Sequence, residues 1–279
     1  MSSESNQPGN EKAMKLQDLR GHWALVTGAS SGIGAEFCRQ LAAAGINLVL
    51  VARRKGLLDD LAASLSAAHR IRTLVLPVDL SERDSAARVK AATAQASIRV
   101  RLLINNAAYG PWGSFEKTSA QTYESMVQLL AATPIALCHA YLTDLESFPS
   151  SAVINLSSPA ALQPVPYKAV YSAAKTCLHN FSLALHGEWQ ARGILVQTLL
   201  PGPTATELDT KGGAYKSELG AARRPPAEIV GESLRRLETG AAFVTTNKGT
   251  YKQRLFAGIA PASMVIREVK KMFQAPPGR

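Results

Sequence analysis

Cysteine is scarce in this chain. Its three copies, Cys38, Cys138 and Cys177, stand far apart and form no C-x-x-C pair. That spacing excludes a disulfide framework or a zinc site, so no metal is expected, and it predicts a cytoplasmic setting in which thiols stay reduced. Long apolar runs are missing as well. No stretch approaches the roughly eighteen apolar residues of a membrane span, so none is expected. Residues 1–17, MSSESNQPGNEKAMKLQ, have no apolar centre and carry acids; they read as a flexible arm, not a secretory signal or transit peptide. Acids are outnumbered, with 21 Asp and Glu against 31 Lys and Arg and a formal net charge of +10. Such an excess raises the question of nucleic acid. The cations are dispersed, however, and no nucleic-acid-binding signature accompanies them, so no nucleic-acid partner is expected and a phosphate-bearing small molecule explains part of the excess.

The remaining composition, 46% hydrophobic and 19% charged, is that of an ordinary globular protein. Its length suits one large α/β unit. The fold is expected to begin near Leu19. His22 to Val26 is a short apolar run of the kind a buried parallel strand shows, and Thr27-Gly28-Ala29-Ser30-Ser31-Gly32-Ile33-Gly34 leads from it into the helical AEFCRQLAAAG. A strand, a glycine-rich turn and a helix start make a seat for a dinucleotide pyrophosphate. Gly28 allows a tight turn, Gly32 a close backbone approach, Gly34 close helix packing, and the free N–H groups of the helix start face the anion. The second strand, Ile46 to Ala52, ends in Arg53-Arg54-Lys55. An acid there would hold ribose hydroxyls; cations predict a 2′-phosphate, and so NADP(H) over NAD(H). Lys55 reads as part of a solvated helix start, a reading that stays open for Arg54 as well.

Four further strands follow, Thr73–Val78, Val100–Ile104, Ala152–Leu156 and Ile194–Leu200, with helical stretches between them and a last strand at Ala242–Thr245. This alternation predicts a single-domain α/β fold, a doubly wound parallel sheet with helices on both faces. The polar residues that interrupt the pattern fall at strand carboxyl ends, where such sheets bind ligands: Asp79 and Leu80, Asn105 and Asn106, Ser157 and Ser158, and Pro201 to Thr206. Pro134 is expected to kink the long helix from about Ser119 to Leu145. Residues 207–224, rich in Gly, Lys and Ala, read as a loop over the ligand edge.

The stretch that gathers these features is SSPAALQPVPYKAVYSAAK, residues 157–175. If Tyr171-Ser172-Ala173-Ala174-Lys175 is helical, the i,i+4 spacing puts the Tyr171 phenol and the Lys175 ammonium on one face. A free phenol, with a pKa of about 10, is a poor acid or base near neutrality. A neighbouring ammonium stabilises the phenolate and brings that value down. Ser158 adds a hydroxyl nearby.

Together, TGASSGIG at 27–34, Asp79, NNAA at 105–108, Ser158, Y-S-A-A-K at 171–175 and PGPTAT at 201–206 resemble the short-chain dehydrogenase/reductase family in order and spacing, over about residues 19 to 245. The resemblance implies a Rossmann-fold, NADP(H)-dependent oxidoreductase that moves hydride between nicotinamide and a carbonyl or secondary alcohol, as a ketoreductase does. It implies Tyr171 as acid/base, Lys175 as the group that lowers its pKa and holds the nicotinamide ribose, and Ser158 as the partner of the substrate oxygen, Ser157 being the less suitable by its interval. Cofactor contacts would come from Gly28, Ser30, Ser31, Gly32, Ile33, Gly34, Arg53, Arg54, Asp79, Leu80, Asn106, Ala107, Pro201 and Thr206, with Arg53 and Ser30 forming the NADP-preferring pair. Homodimers or homotetramers are the family's usual assemblies.

Two positions depart from the pattern. Ala108 replaces the glycine of N-N-A-G. Leu130, in MVQLLAATP, stands where similar enzymes carry an asparagine that bends its helix and holds a relay water, a task leucine cannot perform. Two other readings therefore stay open: an NADP(H)-binding protein with little turnover, and an epimerase or dehydratase using the same site. Tyr109, Trp112, Leu162 and Val165 are candidate substrate-pocket residues. In the basic tail, residues 249–279, Met264, Val265, Ile266, Val269, Met272 and Phe273 among Arg267, Lys270 and Lys271 are expected to form an amphipathic helix that packs on its own domain or a partner subunit, with weak contact to an anionic membrane surface as the alternative.

Overall fold

The computed structural model describes residues 14–204, 223–247 and 249–272. Seven strands form one sheet: β1 (Trp23–Thr27), β2 (Asn47–Ala52), β3 (Thr73–Pro77), β4 (Val100–Asn105), β5 (Ser151–Leu156), β6 (Ile194–Leu200) and β7 (Phe243–Thr245). All neighbours pair in parallel, in the order β3-β2-β1-β4-β5-β6-β7. The order reverses between β1 and β4. That is the switch point, where helices leave towards opposite faces and open a crevice at the strand carboxyl ends.

Parallel strands covered on both faces are mainly apolar, and β2, β4, β5 and β6 are buried along their whole length. On one face α1 (Gly32–Ala43), α2 (Lys55–His69) and α7 (Pro226–Leu237) bury Phe37, Leu41, Leu58 and Ile229 against the sheet. On the other, α3 (Ser85–Gln95), α5 (Thr133–Glu146) and α6 (Ala169–Trp189) bury Val89, Leu137, Tyr141 and Leu185.

The expected N-terminal boundary moves. Met14 is buried in the first of these clusters and its N–H bonds the Leu237 carbonyl at 3.2 Å. Arg101 Nη1 holds the Asp18 carbonyl at 2.6 Å. Residue 14, inside the segment expected to be an arm, thus packs on the domain, because this methionine finds an apolar slot beside α7.

The expected kink at Pro134 takes the form of a π-turn. α4 (Ala120–Val127) passes through Gln128–Ala132, wound with i→i+5 hydrogen bonds, into α5. Proline has no N–H and its ring crowds the carbonyl four residues back, which here is Leu130. The whole run Ala120–Glu146 is long and apolar enough to cross a bilayer by length and composition, but Leu137, Cys138, Tyr141 and Leu145 spend that apolarity on the sheet. The tail carries two helices, α8 (Gly249–Ile259) and α9 (Ala262–Met272), the second over the segment expected to form an amphipathic helix.

Candidate active site

A cavity of about 840 Å³ lies over the switch point. Its floor is the glycine turn after β1. Gly28 and Gly32 have φ of +65° and +56°, in the left-handed region that glycine enters without strain. A Cβ on Gly28 would stand 2.7 Å from Asn106 Nδ2, and one on Gly34 would stand 2.3 Å from the Gly28 carbonyl oxygen. Gly28 and Gly32 line the cavity, whereas Gly34 lies behind it and lets α1 close on the turn. Ser31 occupies the N-cap of α1 without a side-chain cap bond. The first N–H groups of that helix are thus left for an anion, beside Ser30, Ser31 and Ile33 on the cavity wall.

Asn106 and Ala107 secure this turn from β4. Asn106 Nδ2 donates to the Thr27 carbonyl at 2.8 Å, and the Asn106 and Ala107 N–H groups reach Thr27 Oγ1 at 2.9 and 3.1 Å. Asn105 turns the other way, to Asn155 Oδ1 at 2.8 Å, and Asn155 continues to Ser182 Oγ at 2.9 Å. Both asparagines hold neighbouring strands and helices in place, as poor strand formers at a strand end should.

At the carboxyl end of β2, Arg53 and Arg54 both line the cavity but meet different partners. Arg54 Nη2 lies 2.9 Å from Ser30 Oγ and 2.7 Å from Ser31 Oγ. Arg53 reaches Asp79 Oδ2 at 3.7 Å. Burial pushes the Asp79 carboxyl up, but hydrogen bonds from the Ser81 N–H and hydroxyl, with the Arg53 guanidinium, hold it below its usual value. Lys55 bonds Asp59 one turn on, a solvated helix pair as expected. Arg53, Arg54, Asp79 and Leu80 all line the cavity. Two guanidinium groups and two serine hydroxyls at one rim suit a phosphate ester, and the uncapped helix start suits a pyrophosphate, so the residues present fit a phosphorylated dinucleotide.

At the other end of the cavity stand Tyr171, Lys175, Ser157 and Pro201. Lys175 is 2% exposed, and its Nζ donates to the Leu156 carbonyl at 2.6 Å. Desolvation lowers its pKa from 10.5 to about 7. Ser157 Oγ donates back to the Lys175 carbonyl at 3.0 Å, which stitches β5 to α6. The Lys175 ammonium lies 5.9 Å from the centre of the Tyr171 ring, on the shared helix face that the i,i+4 spacing predicts.

Ser158, the expected catalytic serine, does not line the cavity. It is the N-cap of the short 3-10 helix Pro159–Leu162, where its Oγ accepts from the Ala160 N–H at 3.2 Å. The two serines are nonetheless distinct in chemistry. Ser157 is buried with its proton committed to Lys175, whereas Ser158 is half-buried and uses its oxygen as acceptor, leaving its own proton to donate. α6 fixes this segment: Ser172 Oγ donates to the Ala160 and Gln163 carbonyls at 2.9 and 3.0 Å, and Thr176 Oγ1 to Ala161 at 2.9 Å.

Several residues of the site carried no expected role. Gly110 lies so close to the catalytic candidate that a Cβ would stand 2.7 Å from Tyr171 Cδ2. Lys168 lies over both the Trp112 and Tyr171 rings, at 5.0 and 5.5 Å. Ser81, Gln121, Thr122 and Ser125 add polar wall. Their only sequence signal was nearness to a strand end or helix start. Of the expected substrate-pocket residues, Tyr109 lines the cavity and donates to the Thr122 carbonyl at 3.0 Å. Val165 is instead a packing residue, buried against Val265 and Val269. Thr206 and most of the 207–224 loop lie outside the described residues.

Leu130 is fully buried with Met126, Ala131 and Ala174, and Tyr109 and Tyr171 pack on that cluster. The π-turn Gln128–Ala132 runs through this position without an asparagine.

Comparisons with known proteins agree with this geometry. The very-long-chain 3-oxoacyl-CoA reductase of Bos taurus is 30% identical over 192 residues, 67% of this chain and 61% of its own length, so the match spans less than two thirds of that relative. The 7beta-hydroxysteroid dehydrogenase of Collinsella aerofaciens is 28% identical over 227 residues, 80% of this chain and 86% of its own. Among solved structures, a short-chain dehydrogenase from Sphingobium yanoikuyae in complex with NADPH superposes with a TM-score of 0.76 at 28% identity, covering 86% of this chain and 97% of the other. The family model for short chain dehydrogenases matches residues 22–216. With that match laid over the glycine turn, the strand ends and the Tyr171–Lys175 helix, the chain belongs to the short-chain dehydrogenase family.

Proposed function

We propose that this chain is an NADP(H)-dependent oxidoreductase that interconverts a carbonyl compound and its secondary alcohol. The observation that carries the reading is the single cavity wall that joins an Arg53–Arg54–Ser30 phosphate rim to the Tyr171–Lys175 pair. Arg54, Ser30 and Ser31 would hold the 2′-phosphate, the start of α1 the pyrophosphate, and Asp79 with Leu80 the adenosine end. When bound, the cofactor supplies the hydride for the carbonyl carbon. Tyr171 gives its phenol proton to the oxygen that gains the electron pair, and Ser158 donates a hydrogen bond to the same oxygen. A protonated Lys175 makes the resulting phenolate less costly, and its Leu156 bond keeps the amine aimed from the sheet side. A homodimer or homotetramer in the cytoplasm completes the reading.

The test is substrate-dependent NADPH consumption across a panel of ketones. Tyr171→Phe should cut turnover by about 10²–10⁴-fold while NADPH still binds. Equal turnover in the variant would remove Tyr171 from the chemistry. Binding of NADPH with no turnover of any ketone or alcohol would favour a cofactor-binding protein without catalysis.

A further inference from the structure

Nine large apolar side chains are exposed among the described residues, and six of them, Tyr251, Leu255, Phe256, Ile259, Met264 and Ile266, lie within the α8–α9 hairpin. They are not scattered. Tyr251, Leu255 and Ile259 follow at i, i+4 and i+8 and form one stripe along α8, with Leu255 65% and Ile259 76% exposed. The inward side of the hairpin is already used: Gln253 Nε2 donates to the Pro159 carbonyl at 2.9 Å, and Val265 and Val269 are buried on Val165. Its outer side is therefore a face of its own, not a frayed end of the core.

The charge on the hairpin is mostly of one sign. Lys252, Arg254, Arg267, Lys270 and Lys271 are exposed on the two helices against one acid, Glu268, which Arg267 and Lys271 both approach. A second copy of the chain placed on this face by a twofold axis would set five cations against the same five. An apolar stripe bordered by cations matches the interface of an anionic bilayer, where hydrocarbon meets phosphate. We propose that the α8–α9 hairpin is a membrane-contacting surface that seats the protein on anionic lipid, independently of what the catalytic site turns over. The face is joined through Pro159 and Val165 to the segment between Ser158 and Tyr171.

Flotation of the full chain with vesicles tests this. Vesicles of phosphatidylcholine containing about one phosphatidylglycerol in three should carry the protein at least about tenfold better than phosphatidylcholine alone. Leu255→Ser/Ile259→Ser should lower that binding about tenfold or more, and Lys252→Glu/Lys270→Glu should lower it comparably, with NADPH affinity unchanged in both as a check on folding. No binding of the unaltered chain to anionic vesicles overturns the proposal. So does equal binding by the Leu255→Ser/Ile259→Ser variant, or a solution dimer that this variant dissociates, since a second copy would then cover the face.

Discussion

Lys175 shows how one residue's surroundings set its chemistry. Its amine is sealed between β5 and α6, and desolvation brings its pKa to about 7. In the unfolded chain the same amine keeps its proton to near 10.5. Above about pH 7 the unfolded state thus binds more protons than the folded one, so stability should rise with pH. The effect is at most a few kcal/mol and is clearest between about pH 7 and 8.5, before the unfolded chain's thiols ionise. Denaturation of the cofactor-free chain across that window should show the rise, and Lys175→Met should flatten it; parallel slopes in the two proteins would mean that Lys175 is solvated. Arg54 offers a second residue-scale test. Arg54→Ala removes the guanidinium on Ser30 and Ser31, so NADPH affinity should fall by about tenfold or more while NADH affinity changes little. Titration of both nucleotides decides it, and equal losses would place Arg54 outside the phosphate rim. The sequence pointed to this cluster through three cations and no acid. That Arg54 meets Ser30 and Ser31 while Arg53 reaches Asp79 was not legible, because adjacent side chains at a strand end leave in different directions and only the start of α2 settles the matter.

At the scale of elements, the π-turn separates bending from water relay. Pro134 crowds the carbonyl of Leu130, so the helix unwinds there whatever residue stands at 130. Leu130 then fills the space with apolar contacts from Met126, Ala131 and Ala174. Leu130→Asn should therefore cost about 1–3 kcal/mol of stability by burying an amide without partners, read as a lower urea midpoint. An unchanged midpoint with higher turnover would mean that the cluster admits water and that the relay was the missing part. The kink was legible from proline; its π form was not, since that depends on how α4 and α5 pack. The Ser158 segment gives a similar lesson. Spacing placed Ser158 near Tyr171, but its N-cap role and its clamping by Ser172 and Thr176 arise from long-range contacts between the 3-10 turn Pro159–Leu162 and α6.

For the whole molecule, the alternation of apolar runs with helical stretches is enough to specify a parallel sheet, and the rule that ligands gather at strand carboxyl ends points to the region where the cavity lies. The termini were less legible. Met14 and the α8–α9 hairpin are held by long-range contacts, at Leu237, Pro159 and Val165, that no local pattern announces. The sheet brings the phosphate rim and the Tyr171–Lys175 pair onto one cavity, which is the arrangement a hydride transfer needs. The decisive measurement is product analysis after incubation of the full chain with a ketone panel and NADPH deuterated at the transferable position. One deuterium on the carbinol carbon of an alcohol product, lost with Tyr171→Phe, is the predicted result; label retained on the cofactor while a substrate is epimerised or dehydrated would contradict it.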